Sequence, residues 1–473
     1  MTNQSTSNQR GGPPPIVYIA LVLGLTAGGY WFFRHPSAPS GLTLPKLEIP
    51  GLGKGSKDSG LSISRGDRSL FTDSTNQNLQ EGIAAFSAGD YSAAATQFAA
   101  ARQRMHTDPE PLIYLNNARI GSQTALGVAV VVPISDSANV AREILRGVAQ
   151  AQSEALQAGI PIRVLIADDG NEPERATAIA NALIKDETIV AVIGHGTSRT
   201  TLAVAPLYQQ ANLPLIAPTS TTTELATIPR QNGNFIFRVV PSDQFTGTSL
   251  ARYMLSRGKN QPLVVYNSQS SYSKSLLEVF STTLGLEGGQ VVKTIDLSQP
   301  NPENALQNSG ADALVLFPDS TTFDLAISVV QANQGKLPIF AGDSFYRIET
   351  LQKAGSSLQG AVLAVPWHRQ KALPQFIQAA NQLWGGDINW RTALSYDAFQ
   401  VLRTAQATGQ ITGLMGVQGR SKLEQVLASP GFFSQGSTGK IIFLPSGDRN
   451  ATVLLVQIKP GKRSGTGFDF LPL

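Results

Sequence analysis

Two clusters of small hydroxyl residues stand where this chain could hold a charged ligand. Thr197 and Ser198 follow the apolar run 188–193 and the loop Gly194, His195 and Gly196, and Leu202, Ala205 and Leu207 then recur at roughly helical spacing. The second cluster, residues 219–223, follows the apolar run 213–217 and Pro218, and in it Thr221 and Glu224 have the spacing of a capping box. Runs this short and this rich in β-branched residues read as buried strands of a parallel sheet. Each cluster therefore predicts a helix N-terminus at the carboxyl end of a strand, with helices starting near Ser198 and Thr221. Free backbone N–H groups and the positive end of the helix dipole favour a carboxylate there, at the edge where open α/β sheets bind ligands. Ser198 and Thr221 serve equally well as ordinary N-caps, so the residue types alone leave both roles open.

Other chemistry has less support. The four histidines, His35, His106, His195 and His368, lie far apart with no metal-ligand spacing, which argues against a zinc or histidine-based hydrolytic site. Only two residues separate Gly436 from Gly439, and Ile441 follows Lys440, so that stretch fails as a phosphate loop. Asp168 and Asp169 end a strand before Pro173 and are expected to cap the next helix. The chain has no cysteine, which removes disulfides, thiolate metal sites, a cysteine nucleophile and a lipid-bearing N-terminal cysteine. Its 37 basic and 33 acidic residues are scattered, giving a net charge of +4 and no basic surface for nucleic acid. No catalytic residue, metal or cofactor is expected.

The elements that must position the clusters occupy the last three quarters of the 473 residues, a length that implies more than one domain. Residues 1–15 are polar and Gly/Pro-rich and should be disordered. Residues 16–33 carry no charge, would span about 27 Å as a helix, and place Tyr18, Tyr30 and Trp31 near the two ends, as in a transmembrane anchor. A cleaved signal peptide is the alternative, but Tyr30, Trp31, Phe32 and Phe33 stand where a small-residue cleavage site belongs. Residues 34–72 read as a flexible tether. In 73–120, Gly82, Gly89, Asp90, Tyr91, Ala94, Phe98 and Ala101 resemble a tetratricopeptide repeat, with a plain helical hairpin as the alternative. Such a segment packs on the next domain or offers a surface to a protein partner, and it contributes none of the expected site residues.

From 124 to 473, strand and helix alternate. Strands are expected at 126–133, 162–167, 188–193, 213–217 and 235–239, and a second series at 263–266, 291–297, 313–317, 338–341 and 361–365. Helices are expected at 139–157, 173–184, 273–284, 304–308, 322–333 and 396–405, and a hairpin at 440–444 and 452–458 about Pro445 to Asp448. Two such series imply two lobes, about 124–240 and 243–365, each with part of the C-terminal region.

The order of these elements from about 126 to 458 resembles the type I periplasmic binding fold of the Leu/Ile/Val-binding family. The likeness rests on the opening LGVAVVVPIS, ADDGNEP, the loops at Ser198 and Thr221, Tyr272, AGDS at 341–344, SYDA at 395–398 and the closing GKIIFLPSGDR. It implies an α/β protein of two parallel, Rossmann-like lobes joined by a hinge, with crossovers near 238–242, 365–368 and 431–440. It also implies that Ser198, or Thr197 in its place, meets the carboxylate of an amino acid from the first lobe. Thr219 and Thr221 would offer a carbonyl and a hydroxyl, Asp343 would pair with the ammonium from the second lobe, and Tyr272 would cover the ligand. Where relatives often carry an aromatic after residue 317, this chain has Pro318, Asp319 and Ser320, and the loop 135–140 lacks one as well. The pocket is therefore expected to be wider or more polar, with Ser320 at its edge and Asp319 and Arg142 adding charge selectivity. On this likeness the chain would be a membrane-anchored binding protein facing the periplasm or cell exterior, delivering an amino acid to an ABC permease. A helical repeat before this fold is also similar to the lipoprotein activators of penicillin-binding proteins, which leaves a docking scaffold or a ligand sensor as alternatives.

Overall fold

The computed structural model describes residues 60–73, 76–307 and 309–473. The expected disordered terminus, the anchor at 16–33 and most of the tether lie outside the described residues. No helix among the described residues is long and apolar enough to cross a membrane. Residues 60–473 make one compact unit.

Two sheets, each parallel except for antiparallel pairing at one edge, organise that unit. In the first, β1 (Ile63–Ser64), β3 (Ile162–Asp168), β2 (Leu126–Val132), β4 (Ile189–Ile193), β5 (Leu215–Ala217) and β6 (Ile236–Arg238) lie in that order. The second runs β15 (Phe468–Pro472), β14 (Leu454–Pro460), β11 (Val362–Val365), β10 (Ile339–Ala341), β9 (Ala313–Phe317), β7 (Pro262–Tyr266) and β8 (Lys293–Asp296). All ten strands expected from sequence are present. Except in the edge strand β8, their apolar runs are buried almost without a break, as parallel strands covered on both faces must be. Both lobes share one strand order, in which the first strand sits between the second and the third. Each therefore has a switch point, beside β2 and β4 in one lobe and beside β7 and β9 in the other, where loops diverge and a crevice opens.

Three departures bear on function. Residues 60–73, inside the expected tether, are ordered: Ile63 and Ser64 pair antiparallel with Ala167 and Ile166 on the edge of the first sheet. The helices α1 (Gln77–Ser87) and α2 (Tyr91–Arg104) form the expected hairpin, closely enough that a Cβ on Gly82 would lie 2.6 Å from the Phe98 ring. In the next helix, α3 (Glu110–Ile120), nearly every residue is buried. Asn117 on α3 hydrogen-bonds both the carbonyl (2.7 Å) and the N–H (3.1 Å) of Val164, doing for the edge strand β3 what a neighbouring strand would do. The N-terminal helices thus belong to the first lobe's fold.

The C-terminal hairpin also differs from expectation. β12 (Ser434–Gly436) pairs with β13 (Gly439–Ile441), while β14 joins β11 and β15 in the second sheet. The tight turn survives as Leu444 N–H to Asp448 O, 2.8 Å, but the flanking strands part. The third crossover between lobes is therefore 442–453 and not 431–440.

Candidate functional site

The loops at the carboxyl ends of the two sheets enclose a cleft with a cavity volume of about 150 Å³, lined from both lobes. Six of the seven residues expected from sequence line it: Thr197, Ser198, Thr219, Tyr272, Ser320 and Asp343. The seventh, Thr221, does not. A larger cavity of about 200 Å³ lies by Leu126, Ile160 and Met415, at the amino ends of the strands, and no charged side chain lines it.

On the first lobe, α6 (Ser198–Gln210) starts where expected, but Thr197 and not Ser198 is its N-cap and accepts the N–H of Thr200 at 3.4 Å. Thr197 also donates to Asn171 Oδ1 (2.7 Å), which commits its proton. Ser198 is only 5% exposed and accepts a bond from Ser220 Oγ at 3.3 Å. Its own proton has no acceptor among the described residues, leaving it free for a ligand oxygen. Thr219 donates its hydroxyl to the carbonyls of His195 (3.2 Å) and Gly196 (3.1 Å), while its own carbonyl accepts nothing within the described residues.

The expected second helix at Thr221 is absent. A 3-10 turn, Thr223–Thr227, stands there, capped by the Thr222 side chain on the N–H of Glu224. Thr221 turns inward instead: its carbonyl accepts the N–H of Asp243 (2.8 Å), and its hydroxyl is buried without a partner among the described residues. Beneath the loop, Arg238, 1% exposed, donates to Thr222 O (2.6 Å) and pairs with Asp448 (2.5 Å), holding the hydroxyl cluster against the third crossover. Asp168 and Asp169 cap no helix. Asp168 pairs with Arg175 (2.7 Å), and Asp169 with the buried His195 (2.7 Å), which places that histidine in the supporting structure.

On the second lobe, Tyr272 begins α8 (Ser271–Leu286) and donates its hydroxyl to Asp343 Oδ1 at 2.9 Å. A Cβ on Gly342 would lie 2.6 Å from that hydroxyl oxygen, so a side chain there would displace the pair. Asp343 is 5% exposed, and burial pushes its carboxyl above the usual range, offset in part by Tyr272 and by the charge of Arg391. Asp319 is consumed by its own loop, accepting from Thr321, Thr322 and Asn267, and Arg142 is tied to Asp73 and Asp108 away from the cleft. Arg142 thus lies outside the cleft, whereas Asp319 lines it with its carboxylate already hydrogen-bonded. Trp390 and Arg391 do line the cleft, and sequence reasoning missed them by starting their helix at 396. α12 (Trp390–Ala407) is capped by Asn389, which accepts the N–H groups of Arg391 (2.9 Å) and Thr392 (3.4 Å). An Asn directly before a helical run was the signal that would have found them.

Comparison with known proteins fits this geometry. Residues 126–463 match the family model described as periplasmic binding protein. An amino acid binding protein of Pseudomonas aeruginosa is 26% identical over 156 residues, 32% of this chain and 41% of that protein, so the chain spans less than half of this relative. The leucine-, isoleucine-, valine-, threonine-, and alanine-binding protein of the same species is 23% identical over 269 residues, 54% of this chain and 71% of that one. Among solved structures, a leucine binding protein from Thermotoga maritima has the same fold, with a TM-score of 0.62 and 21% identity over 73% of this chain and 97% of its own.

Proposed function

The chain belongs to the periplasmic binding protein family, and from that premise we propose that it captures an amino acid as a zwitterion between its lobes and presents it to an ABC permease. One observation carries the reading: a single cleft sets the uncommitted Ser198 hydroxyl and the N-terminus of α6 on one lobe opposite the buried Asp343 carboxyl on the other. A zwitterion enclosed between lobes needs donors at one end and a carboxylate at the other, because neither of its charges can be left unpaired out of water. Ser198 takes the carboxylate, the Thr219 carbonyl and Asp343 take the ammonium, and Tyr272 steadies Asp343 while covering the ligand. Closure proceeds about the three crossovers, 239–242, 366–373 and 442–453. Residues 16–33 would hold the chain to the membrane with the binding unit outside the cytoplasm. A protein partner of the helical segment would meet α1 and α2, since α3 is spent on the first lobe.

A thermal-shift screen of the full chain against the common amino acids, urea and small amides tests this. A ligand that binds only the folded state raises the melting temperature. At least one amino acid should do so in a concentration-dependent way; no shift with any of them would favour the docking scaffold.

A further inference from the structure

The walls of the cleft bear on which amino acid it takes. No aliphatic side chain lines it. Beyond the groups already assigned, the lining is polar, with Asn171, Asn267 and Gln269, a second cation in the solvent-exposed Arg199, the hydrogen-bonded carboxylate of Asp319, and Trp390 and Tyr272 as its aromatics. A branched aliphatic side chain would lose its water here without gaining an apolar wall, and would strand polar groups that cannot bond to it. Ser344, which lines the cleft, already has a buried hydroxyl with no partner among the described residues.

Arg391 is the side chain in this lining most able to direct specificity. It sits in the first turn of α12, stacked on the Trp390 ring at 4.5 Å, with its side chain 14% exposed. Stacking on an indole fixes the plane of a guanidinium and leaves its N–H fork pointing along that plane. A single long contact, 3.4 Å to Glu143, is the only hydrogen bond of the guanidinium among the described residues. Most of its N–H donors are therefore unfilled at a position that is mostly out of water, an arrangement that an oxygen acceptor on a ligand completes. Asp343 cannot be that acceptor's substitute, since its bond is to Tyr272 and the proposed ammonium needs it.

We propose that the ligand is a polar amino acid whose side chain ends in a carboxylate or amide oxygen, and that Arg391 selects it by donating to that oxygen. This rests on the zwitterion reading above and adds the side-chain class to it. Glutamate and glutamine types share the acceptor, and the first would add charge pairing with Arg391.

Calorimetric titration of the full chain with L-glutamate, L-glutamine, L-methionine and L-leucine tests the proposal, repeated for Arg391→Met and Arg391→Lys. In the wild type, glutamate or glutamine should bind roughly ten- to a hundredfold more tightly than methionine, the loss expected when a charged donor goes unmet. Arg391→Met should reduce that ratio to near unity, and Arg391→Lys, a point charge without the fork, should leave it between the two. Melting curves establish that both variants are folded. Leucine or methionine binding as tightly as both polar ligands in the wild type would overturn this inference and leave the amino-acid reading standing. An unchanged ratio in a folded Arg391→Met protein would overturn it as well. Binding of no amino acid would remove the reading on which it rests, and the inference with it.

Discussion

Asp343 is where the amino-acid reading can be broken with one substitution. Its carboxyl is held above the usual range by burial, and a ligand ammonium can pair with it only once it has lost its proton. Affinity should therefore fall as pH drops through a window lying above 3.8, the ordinary value for this side chain. At pH values where the free protein still holds that proton, binding should release it. Calorimetry in two buffers of different ionisation enthalpy reads the proton directly. Asp343→Asn should abolish the pH dependence and cost roughly 3 to 5 kcal/mol, about two to four powers of ten in affinity. Ser198→Ala, which removes one bond while the amides of α6 remain, should cost roughly 1.5 to 3 kcal/mol. Equal affinity for wild type and Asp343→Asn would sink the ammonium assignment. Asp243 makes a separate statement about stability. It is buried, neither oxygen has a hydrogen-bond partner among the described residues, and burial pushes its carboxyl up to about 7. A raised carboxyl favours folding below about 3.8 and loses that contribution as pH rises to about 7. Asp243→Asn should flatten this dependence and leave the protein more stable near pH 8, by up to about 4 kcal/mol in chemical denaturation. The residue types left Ser198 open between a cap and a ligand contact, and it was the likeness to the Leu/Ile/Val-binding family that singled it out together with Asp343 in AGDS. Asp243 was silent: an acid at a helix start looks like a cap, and only burial makes it otherwise.

At the scale of elements, the cleft depends on how α12 seats against α4 (Ala138–Gln157). A Cβ on Gly147 would lie 2.1 Å from the carbonyl oxygen of Thr392, so the two helices touch backbone to backbone at the residue next to Arg391. Gly147→Ala should push them apart, at a cost of roughly 1 to 3 kcal/mol in stability. It should also weaken ligand binding more than an alanine at the exposed Gly159, measured by melting and titration together. The helical segment leads to a second test. Because α3 and β1 cover α4 and the edge of β3, a chain beginning at Gly121 should melt well below one beginning at Gly60, or fail to stay soluble. If it folds, its ligand affinity should be unchanged, since no cleft residue comes from 60–120. Strands and the long helices were legible because each is written locally, as an apolar run with a turn after it. The pairing of residues 60–73 was not, since a two-residue strand has no period and its polar neighbours resemble a linker. The parting of 440–444 from 452–458 was invisible for a related reason: a tight turn advertises a hairpin whichever partners its strands later find.

For the molecule as a whole, the question is whether the lobes move as bodies. Three crossovers join them, and buried ion pairs stiffen the joints. Arg449 and Asp397, at 2.7 Å, tie the third crossover to α12, and Arg238 with Asp448 ties it to the first. Each lobe is a rigid sheet with its own packed faces, so the soft coordinate is rotation about these segments, which narrows or widens the cleft between Ser198 and Asp343. The two-lobed plan was readable from the repeated strand series, but which segments cross between lobes is a matter of tertiary pairing that the series does not state. If the ligand works by closing the cleft, compaction and stabilisation must appear together. In residues 60–473, an amino acid at about a hundred times its Kd should stabilise the folded state by about 2.7 kcal/mol. Over the same titration it should lower the radius of gyration measured by small-angle X-ray scattering. Asp343→Asn should shift both curves to higher ligand concentration by the same factor, because one equilibrium drives them. A rise in melting temperature with no change in radius of gyration would mean a preformed cleft and would end the hinge mechanism. A protein that shows neither response to any amino acid would instead be using this fold as a docking surface.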